Sequence, residues 1–119
     1  MKINRNIYSI NKLEEFVIKE DDESYIQFFL DYELKCCTIT NLYVNILFRN
    51  RGIGTKLLKK CFEISDEIVE FYELDDMTDR YNKKNNIYIK NGFYYVNVEN
   101  GYAVGPEMIK NCNLKLNNK

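Results

Sequence analysis

One short segment of the sequence combines cations with glycines in a way that suits the binding of an anion. Residues 48–55 read Phe-Arg-Asn-Arg-Gly-Ile-Gly-Thr and separate an apolar run from an amphipathic stretch. A turn at the start of a helix leaves backbone N–H groups unpaired, and the helix dipole adds positive charge there. Arg49 and Arg51 supply cations, while Gly52 and Gly54 let a ligand approach the backbone. The segment predicts a pyrophosphate site, and a tight turn without a ligand is the alternative.

The segment does not follow the patterns of the common nucleotide-binding loops. It is neither the G-x-x-x-x-G-K-[ST] of a P-loop nor the G-x-G-x-x-G of a dinucleotide fold. The chemistry is limited further because the chain contains no histidine. Histidine-based triads, imidazole bases and histidine-containing zinc sites are thereby excluded, so proton transfer must use Asp, Glu, Tyr, Cys, Lys or water.

The elements that position this segment follow from the hydrophobic pattern. Alternating, β-branched and aromatic residues predict strands at residues 4–10, 16–19, 24–32, 36–44, 73–78, 93–98 and 102–109. Apolar residues at i, i+3, i+4 and i+7 predict a helix of some five turns over residues 54–72, and a weaker one over residues 79–90 that Gly92 ends. Asn100-Gly101 predicts a hairpin turn, and Gly105-Pro106 a bulge or an edge in the last strand.

This order of elements predicts a single domain over residues 1–119. Its class is α+β, or mixed α/β, with one central and mostly antiparallel sheet flanked by helices. The connection from strand 36–44 through the long helix to strand 73–78 predicts a right-handed parallel crossover.

Charge and cysteine content limit the partners and the compartment. A formal net charge of −1 argues against a nucleic-acid-binding face, and no apolar run approaches the length of a membrane span. None of the four cysteines forms a C-x-x-C pair, so we expect neither a disulfide framework nor a metal site. We therefore expect a cytoplasmic protein.

Three motifs in order resemble those of one known family. Arg49-Asn50-Arg51-Gly52-Ile53-Gly54 matches the R/Q-x-x-G-x-G/A motif of the GNAT family of N-acetyltransferases. The preceding Leu42-Tyr43-Val44 matches the apolar L-x-V that ends the family's fourth strand. Downstream, Tyr88-Ile89-Lys90-Asn91-Gly92-Phe93 matches its Y-x-K-x-G-F. The resemblance covers residues 24–108, and two such motifs about 40 residues apart are far more specific than either alone.

The resemblance implies a site for acetyl-coenzyme A as co-substrate, with no metal. In the family this molecule lies in a V-shaped splay between the parallel fourth and fifth strands, here 36–44 and 73–78. The pantetheine arm would then contact Leu42, Tyr43 and Val44. The pyrophosphate would lie on residues 50–55, with Arg51 favoured over Arg49 for a side-chain contact. The pyrophosphate contacts implied are the backbone amides of Asn50, Arg51, Gly52, Ile53, Gly54 and Thr55, and the Thr55 hydroxyl.

The resemblance also implies catalytic roles. Acetyl would pass directly to an amine, with Tyr88 as the acid for the departing thiolate and Asp76 as the base, directly or through water. The alternatives are that Tyr88 is a core aromatic residue and that Asp75-Asp76 is a solvated strand end. Cys36 or Cys37 could carry the acetyl group covalently, although a core or lining role is favoured.

Two departures from the family pattern leave the function open. The family commonly has an asparagine seven residues before the tyrosine, where this chain has Tyr81 with Asn82 beside it. Typical members also have about two helices between their first two strands, whereas here only residues 11–15 are available. The acceptor site would then be open, which weakly favours a peptide or protein amine, or completed in a homodimer, or absent. An N-acetyltransferase is expected, and a non-catalytic module that binds coenzyme A or a protein partner is the alternative.

Overall fold

The computed structural model describes residues 1–8, 12–77 and 86–112, and its centre is a seven-stranded sheet in the order β1-β2-β3-β4-β5-β9-β6. A separate two-stranded hairpin pairs β7 with β8. The pair β4–β5 is parallel and every other pair is antiparallel. The predicted α+β class and mostly antiparallel sheet are confirmed. The strands are β1 Lys2–Tyr8, β2 Leu13–Asp21, β3 Ser24–Asp31, β4 Cys36–Tyr43, β5 Phe71–Asp75, β6 Tyr94–Tyr95, β7 Val98–Glu99, β8 Tyr102–Ala103 and β9 Glu107–Asn111.

Alternation along β2 and β3 defines the buried face of the sheet. Phe16 and Ile18 of β2 and Ile26, Phe28 and Leu30 of β3 are all buried. Because side chains of a strand alternate between faces, every second residue joins one core. The rings of the Phe16–Phe28 pair stack with their centroids 5.1 Å apart.

The helix α1, Ile53–Ser65, covers this face, and its buried side chains Leu57, Leu58 and Cys61 pack on the sheet. The prediction of a helix over residues 54–72 was wrong at its end. The N–H groups of Ile68 and Val69 both bond to the carbonyl oxygen of Ser65, which closes a turn. The apolar residues that follow suit either a helix or a strand, and pairing of Phe71 with Cys36 in the sheet decides for the strand. The fifth strand is therefore Phe71–Asp75. It begins two residues before the predicted start, and Asp76 and Met77 are not part of it, while residue 78 lies outside the described part of the chain.

The parallel strands β4 and β5 pair only from Cys36↔Phe71 to Ile39↔Leu74. Beyond this point β4 has a bulge at Thr40 and continues along β3 as far as Tyr43. The strand β5 instead continues along β9, and the Asp76 N–H bonds to the carbonyl oxygen of Pro106 at 2.7 Å. Since each strand follows its other neighbour, the two separate and the sheet opens into a V.

The prediction of a helix over residues 79–90 is largely untested, because residues 78–85 lie outside the described part of the chain. What is described corrects it, since α2 is the single turn Ile87–Lys90. Asn86 before it has extended backbone angles, so no helix runs through that position. Gly92, with a φ of 96°, follows the turn as predicted.

The four C-terminal strands are divided between the main sheet, which contains β6 and β9, and the separate hairpin of β7 and β8. Asn100 and Gly101 both have positive φ, and they form the predicted hairpin between β7 and β8. The predicted strand 102–109 is interrupted at Gly105-Pro106, after which β9 joins the main sheet. The predicted strand 93–98 is divided in the same way between β6 and β7.

At the other end, β1 and β2 form an antiparallel hairpin joined by residues 9–12. The strand β1 begins two residues before its predicted start, and residues 9 and 10 of the prediction lie outside the described part of the chain. The strand β2 is longer than predicted at both ends, and Leu13 to Glu15, which were placed between the two strands, belong to it. The strand β2 includes Glu20 and Asp21, and the turn to β3 is formed by Asp22 and Glu23. No helix in the described ranges has the length and apolar character needed to cross a membrane.

Candidate active site

A groove of about 620 Å³ lies where β4 and β5 separate. Three elements contribute to it: the end of β4, the turn into α1 with the first residues of that helix, and α2. We call it the splay groove. Its lining residues are Leu42, Tyr43, Val44, Arg49, Asn50, Gly52, Ile53, Gly54, Thr55, Ile87, Tyr88 and Lys90. Apart from Asp76 and Arg51, every site residue expected from the sequence is in this set.

The turn into α1 presents backbone N–H groups to the groove. Asn50 and Gly52 both have left-handed backbone angles, with φ of 66° and 77°. Gly52 is the N-cap residue, so it offers no side chain to bond the first N–H groups, and the first turn contains no acidic residue. The first helical bond runs from the Lys56 N–H to Gly52 at 3.0 Å, which leaves the N–H groups of residues 53–55 for another acceptor. This arrangement suits an anion.

The two glycines of the turn serve different purposes. Around Gly52 there is open space, with nothing within 4 Å of the position of a β-carbon, and only its positive φ requires glycine. At Gly54 a β-carbon would lie 2.6 Å from Cδ1 of Ile87. Gly54 therefore lets the Ile87 side chain of α2 pack closely against α1, a contact that the sequence pattern does not reveal.

The two arginines of the turn point to different neighbours. The Arg49 Nε donates to the carbonyl oxygen of Val44 at 3.0 Å, and the guanidinium lies 5.7 Å from the centre of the Tyr43 ring. Arg51 instead lies over the ring of Phe48 at 5.6 Å and is outside the lining of the groove. Of the two side chains, the geometry brings Arg49 and not Arg51 to the groove.

Tyr88 stands at the opposite wall of the groove, on α2. Its backbone N–H bonds to the side chain of Asn86, which caps the turn, and its ring contacts Phe93 edge-on at 6.0 Å. Only 8% of Tyr88 is exposed. Burial, and secondarily the negative charge of Asp76, raise the pKa of the Tyr88 hydroxyl to about 12. The hydroxyl is therefore a proton-bearing hydrogen-bond donor at neutral pH.

Asp76 is buried behind this wall, with 2% of the residue exposed, and it does not line the groove. Its Oδ2 accepts a hydrogen bond from the Asn86 amide at 2.8 Å and another from the Tyr95 hydroxyl. These hydrogen bonds join the end of β5, the start of α2 and β6. They also hold Asn86, whose side chain accepts a hydrogen bond from the Tyr88 N–H. Sequence reasoning missed Asn86, although an asparagine before a short helical run is a known capping signal.

The cysteines near the sheet centre are buried. Burial, followed by the charge of Glu73, raises the pKa of Cys36 to about 12, and burial raises the pKa of Cys37 well above the usual value. A thiol with a pKa of 12 is ionised to only about one part in 10⁵ at pH 7, so a covalent acetyl-cysteine route is disfavoured. Among the described residues, no three Cys, Asp or Glu side chains converge as metal ligands would.

Comparison with known proteins identifies similar sequences and folds. Residues 12–95 match the family described as acetyltransferase (GNAT) domain. No curated protein matches the sequence. Among solved structures, Tetrahymena GCN5 is 18% identical with a TM-score of 0.61, and the match covers 84% of this chain and 68% of that protein. A GNAT-family acetyltransferase of Staphylococcus aureus is 17% identical with a TM-score of 0.64, and 88% of this chain covers 71% of it.

A third similar structure contains a ligand. The PaiA N-acetyltransferase of Thermoplasma acidophilum, in complex with coenzyme A, is 18% identical with a TM-score of 0.59, and 83% of this chain covers 59% of it. At these identities the structures establish the shared fold alone, and this chain spans about two thirds of their length.

Proposed function

This chain belongs to the GNAT acetyltransferase family, and on that premise we propose that it transfers acetyl from acetyl-coenzyme A to an amine. One observation carries the proposal. The splay groove brings the end of β4, the uncapped start of α1 and Tyr88 together around one cavity. In this proposal the end of β4 is a strand edge for an amide-containing arm. The start of α1 is an anion site for a pyrophosphate, and Tyr88 is a proton donor for a leaving group.

The residues of the groove fit acetyl-coenzyme A by their chemistry. In this proposal the N–H groups of residues 53–55 and the Arg49 guanidinium bind the pyrophosphate, and Leu42 to Val44 contact the pantetheine arm. The thioester supplies an activated acetyl group. Gly52 leaves open space beside the anion site, so the approach of a phosphate meets no side chain.

Tyr88 assists departure of the sulfur as a hydrogen-bond donor. Its pKa of about 12 lies some 3.5 units above that of a free thiol, so full proton transfer would cost about 5 kcal/mol. A hydrogen bond to the developing thiolate avoids that cost. When the C–S bond breaks, the electron pair stays on sulfur, and the thiolate takes its proton from solvent.

The amine must lose a proton as its bond to the acetyl carbon forms. We propose that this proton goes to water and that Asp76 accepts it only through such a relay. The reason is that the Asp76 carboxylate is 2% exposed and lies behind the wall of the groove. The same carboxylate holds Asn86, which caps the turn that carries Tyr88.

The test combines calorimetric titration of acetyl-coenzyme A with an acetylation assay. Free-thiol release would be followed across peptide N-terminal amines, lysine peptides, polyamines and aminoglycosides. We expect Tyr88→Phe to bind acetyl-coenzyme A like the wild type while kcat falls about 100-fold. Tyr102→Phe is the matched control, because Tyr102 is 65% exposed and lies in the separate hairpin. Failure of the folded wild type to bind acetyl-coenzyme A would overturn the proposal.

One observation favours a second candidate, a module that binds coenzyme A without catalysis. The strands β1 and β2 are joined by residues 9–12 alone, so helices between them, which supply much of the acceptor wall in typical members, have no place here. Tight binding with no turnover of any amine would support this candidate. Turnover of a peptide or protein amine would instead fit an open acceptor side.

A further inference from the structure

The strand β1 lies at one edge of the main sheet and continues the buried face of the sheet outwards. On that face Ile3 lies opposite Ile18 of β2, and Ile7 lies opposite Glu14, and both β2 residues are buried. The helix α1 packs on β2, β3 and β4, and a cavity of about 650 Å³ separates Met1 and Ile3 from the lysines of α1. Ile3 is therefore 44% exposed and Ile7 69%, although both point to the side of the core.

This edge has few of the features that keep the edges of sheets from pairing. The strand β1 pairs with β2 over seven successive residues without a bulge, and it contains no proline. Its core-facing charge, Arg5, is turned onto its own chain, where the guanidinium bonds to Glu14 and lies 5.5 Å from the centre of the Phe16 ring. A regular edge strand directs half of its backbone N–H and C=O groups away from its neighbour and can accept a further strand.

The edge is complementary to itself. A two-fold axis perpendicular to the sheet pairs two copies of β1 antiparallel and keeps the core-facing side chains on the same side. Among the registers that match the faces, the one centred on Arg5 pairs all seven residues, and it alone places Ile3 of each copy opposite Ile7 of the other. The two Arg5 residues face each other at the axis, but each guanidinium is held by its own Glu14.

The charges on the opposite face of β1 and β2 favour the same arrangement. Lys2 lies directly opposite Lys19, so two exposed cations are neighbours at one end of the strand pair. Towards the other end Asn6 donates to a carboxylate oxygen of Glu15 at 3.1 Å. In the register centred on Arg5, Lys2 of each copy is a diagonal neighbour of Asn6 of the other. The cationic end of each copy therefore lies beside the acidic end of its partner.

We propose that a second copy of this chain binds to β1, so that two antiparallel β1 strands join the two sheets into one. The pairing of Ile3 with Ile7 covers the apolar side chains that α1 leaves exposed, and the charges of the other face are matched. The inference goes beyond the proposed function and does not depend on it, since none of the residues Lys2–Tyr8 lines the splay groove.

The test is sedimentation equilibrium of the full chain over a range of micromolar concentrations, in which we expect a dimer. Ile3→Glu and Ile7→Lys should each weaken the dimer at least about tenfold, because each change alters both isoleucine pairs. The double variant that carries both changes should recover the dimer, since it places opposite charges across both pairs. Within one chain the two positions are about 13 Å apart along the strand, so the recovery cannot come from a contact inside one copy.

A matched control separates the interface from general surface hydrophobicity. Leu34→Glu changes an equally exposed apolar residue in the turn between β3 and β4 and should leave the dimer unchanged. Circular dichroism of every variant should match the wild type, because the altered side chains are exposed. A wild type that stays monomeric at the highest concentration would overturn the inference. A dimer that neither single change weakens would also overturn it, as would one that the double variant does not recover.

Discussion

Gly52 is the residue at which the structure separates the requirements of folding from those of binding. Its φ of 77° lies in the left-handed region, while the space around a β-carbon there is open. Gly52→Ala would therefore introduce backbone strain without a clash. Gly101 is a matched control in the β7–β8 hairpin, with a φ of 83° and the same open surroundings.

The expected cost in stability is the same for both alanine variants. A left-handed residue with a β-carbon costs about 1–2 kcal/mol, and the stiffer unfolded chain returns about 0.4–1 kcal/mol. Each variant should lose about 1 kcal/mol in free energy of unfolding, or about 3–6 °C in Tm for a chain of this size. Urea unfolding of the ligand-free proteins measures this.

The two variants should differ in binding. The methyl group of Gly52→Ala stands at the turn into α1, in the lining of the splay groove, where the pyrophosphate is proposed. Loss of one charge-assisted hydrogen bond, about 1.5 kcal/mol or more, weakens binding at least about tenfold. Gly101→Ala should bind acetyl-coenzyme A like the wild type. Gly52→Asn should recover stability, since asparagine tolerates left-handed angles, without recovering affinity.

Two results would contradict these expectations. Equal affinity of the Gly52→Ala and Gly101→Ala variants would show that the pyrophosphate does not lie on this turn. An unchanged free energy of unfolding in Gly52→Ala would show that the left-handed conformation is not required.

Two further predictions concern the opposite wall of the groove. Gly54→Ala places a methyl group 2.6 Å from Cδ1 of Ile87, where contact needs about 3.5–4.0 Å. Because Cδ1 ends a side chain that can shift, overpacking should cost about 1 kcal/mol and offset the helix-propensity gain of about 1 kcal/mol. In an Ile87→Val background, which lacks Cδ1, urea unfolding should show Gly54→Ala to be more favourable by about 1 kcal/mol, and an equal effect in both backgrounds would contradict the contact. The pKa of Tyr88 is raised to about 12, so its hydroxyl keeps its proton as the pH rises, and kcat should not fall up to pH about 10. A fall in kcat centred at or below pH 10 that is absent from Tyr88→Phe would contradict this prediction.

Much of the fold was predictable because the signals are local. Alternation in residues 24–32 and 36–44 predicted β3 and β4, and Asn100-Gly101 predicted the hairpin from backbone angles that few residues adopt. The glycine and arginine spacing of residues 49–54 predicted the turn at the start of α1. Each of these features depends on residues within a few positions of one another, so sequence patterns describe them well.

The residue at which α1 ends could be determined only from the tertiary structure. Residues 66–72 continue the apolar spacing of a helix, but the chain must turn after Ser65 so that Phe71 can pair with Cys36. Apolar periodicity indicates which face of a helix or strand is buried, but it does not indicate which other element that face contacts. The same limit applies to Gly54, whose close neighbour is Ile87, a residue 33 positions away in the sequence.

The sequence by itself determined the glycine-containing turn before α1, the absence of histidine chemistry and the family resemblance, because residue type and short spacing suffice for these. Only the tertiary structure decided that Arg49 and not Arg51 reaches the groove, and that Asn86 joins Asp76 to the turn carrying Tyr88. It also brought the α1 lysines beside β1. These contacts join distant segments, and their distances follow from how helix and strands pack around one core, which no local pattern records.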